Sequence, residues 1–207
     1  MGIRAAVIAL CLATPALADP TYHRVVGVAV DDTLNIRSAP SASSEDIGDL
    51  PFDATGIEVT GFNEDRSWAR ISAGERDGWI STRFLQADTV PTFPQTTVPH
   101  GLICGGTEPF WALGLYGQDA RYSHPEDTDI DFAFDSATVA EGRLGSPALI
   151  TVATDSNEVI EATITGATCS DGMSDRTYGW SVTLQFIASG KRRFLEGCCH
   201  LLREDRK

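Results

Sequence analysis

Basic residues are scarce in this sequence. Only 16 Lys and Arg stand against 29 Asp and Glu, which gives a net charge of −13 over 207 residues. A nucleic-acid-binding protein needs a basic stripe that neutralises phosphates, and no such stripe is present. Anionic lipid surfaces are disfavoured for the same electrostatic reason. We therefore expect neither nucleic acid nor an anionic membrane surface as a partner.

Long apolar runs are also lacking after the first 20 residues, so we expect no membrane span. The one such run, at residues 5–14, follows Arg4 and precedes the small-x-small site Ala16-Leu17-Ala18. This pattern is typical of a secretory signal peptide. We expect residues 1–18 to be removed by cleavage after Ala18. The mature protein would then be periplasmic or secreted, with 15 basic and 29 acidic residues.

Helical periodicity is missing as well, since no segment longer than about ten residues keeps it. The first half instead contains short segments rich in Val and Ile, separated by clusters of Gly, Asp, Ser and Pro: YHRVVGVAV, TLNIRS, TGIEVTGF, SWARIS and DGWIST. Such segments predict strands. The fold class is therefore all-β.

Apolar residues alternate with polar ones more sharply in the second half. Three rows show this pattern: Tyr178, Trp180, Val182, Leu184 and Phe186; Ile160, Ala162 and Ile164; and Trp111, Leu113 and Leu115. Alternation of this kind is typical of antiparallel strands with one wet face. It predicts a small antiparallel barrel or sandwich.

The stretch 87–100, ADTVPTFPQTTVPH, differs in composition from both halves. It holds three prolines and four threonines. Such a segment favours a stiff, extended linker. We therefore predict a small domain at 19–86, a Pro/Thr-rich linker at 87–100 and a C-terminal all-β domain at 101–207.

The small domain carries several motifs in order: LNIRSAP at 34–40, Ile47-Gly48, Gly78-Trp79-Ile80 and Phe84-Leu85. Together they resemble a bacterial SH3-like (SH3b) domain over about residues 22–86, although this family usually has glycine where Ala39 stands. The resemblance implies a five- to six-stranded barrel that recognises cell-wall material or peptides and performs no chemistry.

Four residues of the small domain are candidates for ligand binding. Asn35 and Arg37 alternate with apolar Leu34 and Ile36, so they face away from the core, while Trp68 and Trp79 could offer an indole edge to a ligand. Three of them also have a structural interpretation: the two indoles as core packing and Arg37 as the partner of a turn carboxylate.

Four cysteines remain after signal cleavage: Cys104, Cys169, Cys198 and Cys199. An even number in an oxidising compartment predicts two disulfides. A bridge between the neighbours Cys198 and Cys199 would distort normal disulfide and peptide geometry. Two long-range pairings remain open at this point.

The C-terminal half contains three distinctive motifs: CGGTEPFWAL at 104–113, CSDGMSDRTYGWSVTL at 169–184 and LEGCC at 195–199. They resemble a family of uncharacterised bacterial envelope proteins and lipoproteins, which implies no secure activity. One departure is Gly179, where that pattern leads us to expect proline.

CSDGMSD reads as the turn of a β-hairpin whose returning strand begins near Tyr178. Cys169 would then end the first strand, with LEGCC as the neighbouring strand. This arrangement favours Cys169–Cys198 and Cys104–Cys199, because adjacent residues of a strand face opposite sides. Arg176 is expected to pair with an aspartate of the turn.

Glu108, Phe110 and Arg176 are further candidates, placed together at the barrel rim. The structural alternative is a strand-entry turn at GTEPFW with Trp111 in the core. The acidic run at 127–135 predicts a solvated strand face, with a cation site as the alternative.

We expect an envelope binding protein without catalytic activity, metal or cofactor, whose partner is peptidoglycan or an envelope protein. Three alternatives stay open. One is an inhibitor or sensor of a wall enzyme. The second is a hydrolase built on Glu108, Asp175 and His200, and the third is a metal or redox protein built on the cysteines.

Overall fold

The computed structural model describes residues 19–188 and 191–202. The predicted signal peptide lies outside these residues. As expected, the fold is all-β, with one short 3-10 helix at Thr82–Phe84. Within the described part, no helix is long and apolar enough to span a membrane.

The small domain consists of eight short strands in two sheets. The strands are β1 (Thr21–Val25), β2 (Thr33–Arg37), β3 (Asp46–Pro51), β4 (Ile57–Val59), β5 (Gly61–Phe62), β6 (Trp68–Ala73), β7 (Arg76–Ser81) and β8 (Leu85–Ala87). One sheet has the order β4-β1-β8 and the other β3-β2-β7-β6-β5. Leu34, Ile36, Leu50, Ile71 and Ile80 are among the buried side chains between them. The predicted alternation of Leu34 and Ile36 with polar neighbours holds.

The C-terminal domain is a closed eight-stranded barrel. Its strands are β9 (Leu102–Thr107), β10 (Phe110–Leu115), β11 (Asp119–Ser123), β12 (Ile130–Val139), β13 (Ala148–Ala153), β14 (Val159–Cys169), β15 (Tyr178–Ala188) and β16 (Lys191–Leu201). All neighbours are antiparallel in the order β10-β11-β12-β13-β14-β15-β16-β9, and β9 pairs with β10 to close the ring. Of the two predicted architectures, the barrel is the one formed.

Large side chains fill the barrel interior. The rows on β10, β14 and β15 that were predicted to point inward are buried, with the exception of Tyr178, which is partly exposed. Three of their side chains are 0 % exposed: Leu113, Ile164 and Trp180. An eight-stranded barrel is just wide enough for side chains to fill it. The interior is therefore a packed core, and binding sites must lie outside it or between the domains.

Two disulfides join the strands, with the pairings that the sequence favours. Cys104–Cys199 links directly opposed residues of β9 and β16 and lies in the barrel core. Cys169–Cys198 ties the end of β14 to β16 across the intervening β15. Because successive side chains of a strand point to opposite faces of the sheet, the adjacent Cys198 and Cys199 of β16 form their bridges on opposite faces. All four sulfurs are bonded, so none is available as a thiolate ligand for a metal.

The segment 87–100 is more than a connector. Phe93 and Val98 are 1 % and 0 % exposed and belong to the barrel core. The Phe93 ring packs against Phe134, with 5.3 Å between ring centroids, and against His100. A bridge from Thr92 to Pro99 folds this stretch back on itself. The Pro-rich run thus plugs the barrel, where sequence composition predicted only an extended linker.

We predict that Phe93→Ala lowers the free energy of unfolding of the barrel by about 3–5 kcal/mol, because it removes a buried aromatic side chain. Urea denaturation checks this value. Phe194→Ala is the matched control, since Phe194 is 74 % exposed. Its cost should stay within about 0.5 kcal/mol. Equal effects of the two substitutions would show that residues 91–99 do not form part of the core.

Candidate functional site

The outer face of the five-stranded sheet brings the four candidates of the small domain together. Ala69, Ile71 and Ile80 point into the core, so the alternate residues of β6 and β7 point outward. The strand register sets Trp79 directly between Arg37 of β2 and Arg70 of β6. Trp79 thus lies between two arginines at the centre of this face.

Trp68 and Trp79 are half-buried and lie outside the buried cluster of the small domain. Trp68 pairs with Ser81, one step along the same face from the Arg70–Trp79 pair. Neither indole therefore belongs to the buried core of the small domain. Both lie on the outer face of the sheet and are partly exposed, as a ligand-binding aromatic residue must be.

Asn35 and Arg37 hold the turn between β2 and β3. The Asn35 side-chain amide donates to Asp46, and Arg37 Nη1 lies 3.3 Å from the Ser44 carbonyl oxygen and 3.7 Å from Asp46 Oδ2. The hydrogen bond from Asn35 lowers the pKa of Asp46 below its ordinary value, with a smaller contribution from Arg37. The expected pairing of Arg37 with a turn carboxylate is present, and the guanidinium remains partly exposed beside Trp79.

Arg70 is a residue of this face that the sequence analysis missed. Its Nε lies 3.6 Å from Asp77 Oδ2 and 3.3 Å from Thr60 Oγ1, which fixes the guanidinium beside Trp79. The signal was present in the sequence. In SWARIS, Arg70 follows Trp68 by two residues, so strand periodicity places both side chains on one face.

The barrel borders one end of this face through the loop 170–177, between β14 and β15. The Thr177 backbone N–H and hydroxyl donate to the Asp77 carboxylate at 2.8 and 2.6 Å. Arg176 Nε donates to Ser72 Oγ at 2.6 Å. Because Ser72 and Asp77 continue the outward rows of β6 and β7, the loop forms a wall beside Arg70 and Trp79.

Asp171 organises this loop, as expected of an aspartate in a turn. Its carboxylate accepts hydrogen bonds from the backbone N–H groups of Met173 and Ser174 and from the Tyr178 hydroxyl. These bonds outweigh the effect of burial and lower the pKa of Asp171 to about 2. Arg176, predicted to pair with an aspartate of the turn, instead donates to Ser72 and lies over the Tyr178 ring.

Glu108, Phe110 and Arg176 do not form the single rim site that the sequence suggested. Exposed Glu108 lines an open groove of about 780 Å³ along β9 and β16, together with Asp171 and Glu196. Phe110 is 56 % exposed and lines a separate depression of about 610 Å³ with Phe194. Arg176 lies at the domain interface, because its loop folds away from the barrel rim onto the small domain.

The three residues of the hydrolase alternative also lie in different parts of the structure. Glu108 lies in the groove, Asp175 is exposed and bridges through its backbone to Arg76, and His200 lies at the domain interface. A nucleophile, a base and an orienting group must lie within hydrogen-bond reach of one another. Glu108 and His200 line different cavities, and no hydrogen bond joins any two of the three side chains within the described residues.

The acidic run at 127–135 forms an exposed surface. Asp127 accepts a hydrogen bond from Arg193 at 2.6 Å, and Asp131 pairs with Arg121 at 2.7 Å. Exposed pairs of this kind contribute little to stability. The arrangement agrees with a solvated strand face.

Comparison with known families agrees with the architecture of the small domain. Residues 32–86 match the model of the bacterial SH3 domain family. This match runs from the start of β2 into β8 and includes every candidate residue on the Trp79 face. Neither a curated protein nor a solved structure gives a significant match to the chain.

We predict that Asp77→Ala destabilises the contact between the domains by about 1–3 kcal/mol, because two donors of Thr177 and the Arg70 guanidinium lose a partly buried acceptor. Thermal unfolding monitored in the small domain measures the effect. Asp53→Ala, at an exposed position, is the control. If the two variants unfolded alike, the Asp77 contact would contribute nothing to the docking of the loop.

Proposed function

We propose that the protein is an exported cell-envelope binding protein whose SH3-like domain binds peptidoglycan through the Trp79 face, without catalytic activity. The match to bacterial SH3 domains supports a role in binding cell-wall material. The two disulfides fit folding in an oxidising compartment outside the cytoplasm.

The observation that carries this proposal is the row Arg37–Trp79–Arg70 across the sheet. Peptidoglycan offers sugar rings and stem peptides with free carboxylates. An indole face packs against the apolar side of a sugar ring, and guanidinium groups form charge-assisted hydrogen bonds with carboxylates. The face supplies both kinds of contact within one strand-to-strand row, although the domain as a whole is acidic.

The barrel serves as a scaffold and a second contact surface in this proposal. Its interior is packed, and the loop 170–177 holds the small domain so that the Trp79 face stays uncovered. The separation of Glu108, Asp175 and His200 supports a non-catalytic role.

A second candidate function is the inhibition or sensing of a cell-wall enzyme by the barrel. The pair Phe110 and Phe194 favours it, because both rings are more than half exposed and line one depression. Exposed aromatic side chains that share a depression are typical anchors of protein interfaces. In that case the small domain would localise the barrel at the wall.

We predict that Trp79→Ala weakens binding of the mature protein to purified peptidoglycan sacculi by at least about tenfold, as expected for loss of a central aromatic contact. Co-sedimentation over a range of sacculus concentrations measures the apparent Kd. Arg70→Gln should weaken binding less and should reduce its dependence on salt. Phe194→Ala, which removes an exposed ring of the barrel, should bind as the wild type does.

Thermal unfolding of each variant establishes that the fold is retained. Unchanged binding by a folded Trp79→Ala variant would refute the proposed face. If Phe194→Ala were the defective variant instead, the barrel would be the domain that binds peptidoglycan, which would also contradict the proposal.

A further inference from the structure

Glu58 of β4 reaches from the small domain to the barrel. Its Oε2 accepts a hydrogen bond from the backbone N–H of Leu201 in β16 at 3.0 Å. The carboxylate also lies against Gly179 of β15, where an added Cβ would come within 3.0 Å of Oε1. Gly179, which replaces the proline expected there, leaves space for this approach. The Glu58 side chain is therefore held against the backbone of two barrel strands.

A small cavity of about 50 Å³ lies beside this contact, between the two domains. Its polar lining consists of Glu58 and Ser72 from the small domain and Arg176 and His200 from the barrel. The Nδ1 atom of His200 is buried and has no hydrogen-bond partner among the described residues. A buried nitrogen of this kind costs free energy unless it acquires a partner.

Titratable groups surround Glu58 on every side. Tyr22 of β1 accepts a hydrogen bond from Trp180 Nε1 at 3.1 Å, and its own pKa is raised by burial and by Glu58. Asp19 adds a further negative charge near Tyr22. Arg176 of the loop and His200 of β16 line the same cavity as the carboxylate. Just before β4, Asp88 accepts a hydrogen bond from the Gly56 N–H.

We propose that this interface is a proton-dependent lock, in which the protonated Glu58 side chain holds the two domains together and ionisation of Glu58 loosens them. A carboxylic acid keeps an acceptor oxygen for the Leu201 N–H and gains an O–H donor. The buried His200 Nδ1 lies across the cavity as an acceptor for that donor, directly or through one water molecule. Protonation thus satisfies a nitrogen that ionised Glu58 leaves without a partner.

The titration behaviour of the cluster agrees with this geometry. Burial at the interface raises the pKa of Glu58 to about 7, against smaller opposing effects of the Leu201 N–H and Arg176. Burial, and then Arg176, lowers the pKa of His200 to about 4, so its imidazole is neutral above that pH. Between about pH 4 and pH 7, Glu58 is therefore protonated and His200 is neutral.

The sign of the pH effect follows from the raised pKa of Glu58. In the open state the solvated carboxyl group titrates at its ordinary value of 4.5, so the closed interface binds the proton more tightly. Glu58 by itself would raise the equilibrium constant for opening on the order of tenfold per pH unit between 4.5 and 7. His200 acts with the opposite sign, because the closed interface disfavours its proton between about pH 4 and the ordinary imidazole value of 6.5. Comparison of the wild type with Glu58→Gln separates the Glu58 contribution from that of His200.

Amide hydrogen exchange by NMR tests this proposal on the mature chain between about pH 5 and pH 8. The interface donors Leu201 and Thr177 are compared with Ile164 in the barrel core, after correction for intrinsic exchange rates. We expect the ratio of interface protection in the wild type to that in Glu58→Gln to fall by a factor on the order of ten to one hundred as the pH rises. The corresponding ratio for Ile164 should not change.

Glu58→Gln, which mimics the neutral acid, should lose the Glu58 contribution and keep only that of His200. Glu161→Gln, at an exposed position of β14, should retain the wild-type pH dependence. The proposal is overturned if the ratio of interface protection between the wild type and Glu58→Gln is independent of pH, or if Ile164 loses protection to the same extent as the interface amides.

A second measurement does not depend on the variant folding. The side-chain carboxyl carbon of Glu58 can be titrated by NMR in the wild type. A midpoint near 7 agrees with the lock, and a midpoint near 4.5 contradicts it.

Discussion

The pairing of β16 with β9 is the contact on which the rest of the structure depends, because it closes the barrel and also positions the domain interface. Directly opposed residues of these strands carry the Cys104–Cys199 bridge. The end of β16 then brings the Leu201 N–H to Glu58 and His200 to the interface cavity. Without this pairing, the barrel would have two open edges, and the small domain would lose its contacts with β16.

The interface in turn decides which surface of the small domain remains available. The loop 170–177 binds Ser72 and Asp77 at one end of the five-stranded sheet. The centre of that sheet, with Trp79 between two arginines, lies outside this contact and is partly exposed. The barrel therefore orients the proposed binding face and does not bury it. The proton-dependent contact at Glu58 lies between the domains, away from this face, so acidity would alter domain coupling without changing the Trp79 row itself.

Much of the fold could be predicted because strand periodicity is a local signal. The alternation in residues 178–186 identified β15, and the adjacent Cys198 and Cys199 indicated opposite faces of β16. The plug at 91–99 could not be recognised in this way. Its composition resembles that of a linker, and only the barrel opening explains why Phe93 is buried.

The residues of the candidate site could likewise be predicted only where strand alternation decides their position. Asn35, Arg37, Trp68 and Trp79 converge because they occupy outward positions of paired strands, which sequence patterns reveal. Arg176 was misplaced because its position depends on how the loop 170–177 folds onto another domain. The role of Glu58 could not be foreseen, since nothing near it in sequence indicates burial against β15 and β16.

The central claim is that the two domains form one rigid unit at mildly acidic pH. Backbone 15N relaxation of the mature chain at about pH 5 tests it most directly, because it reports the rotational correlation time of each domain separately. The account predicts one common value for residues 21–87 and 102–201, equal to that of a particle of the whole chain's size. A distinctly shorter correlation time for residues 21–87 would show that the small domain reorients on its own and would contradict the account.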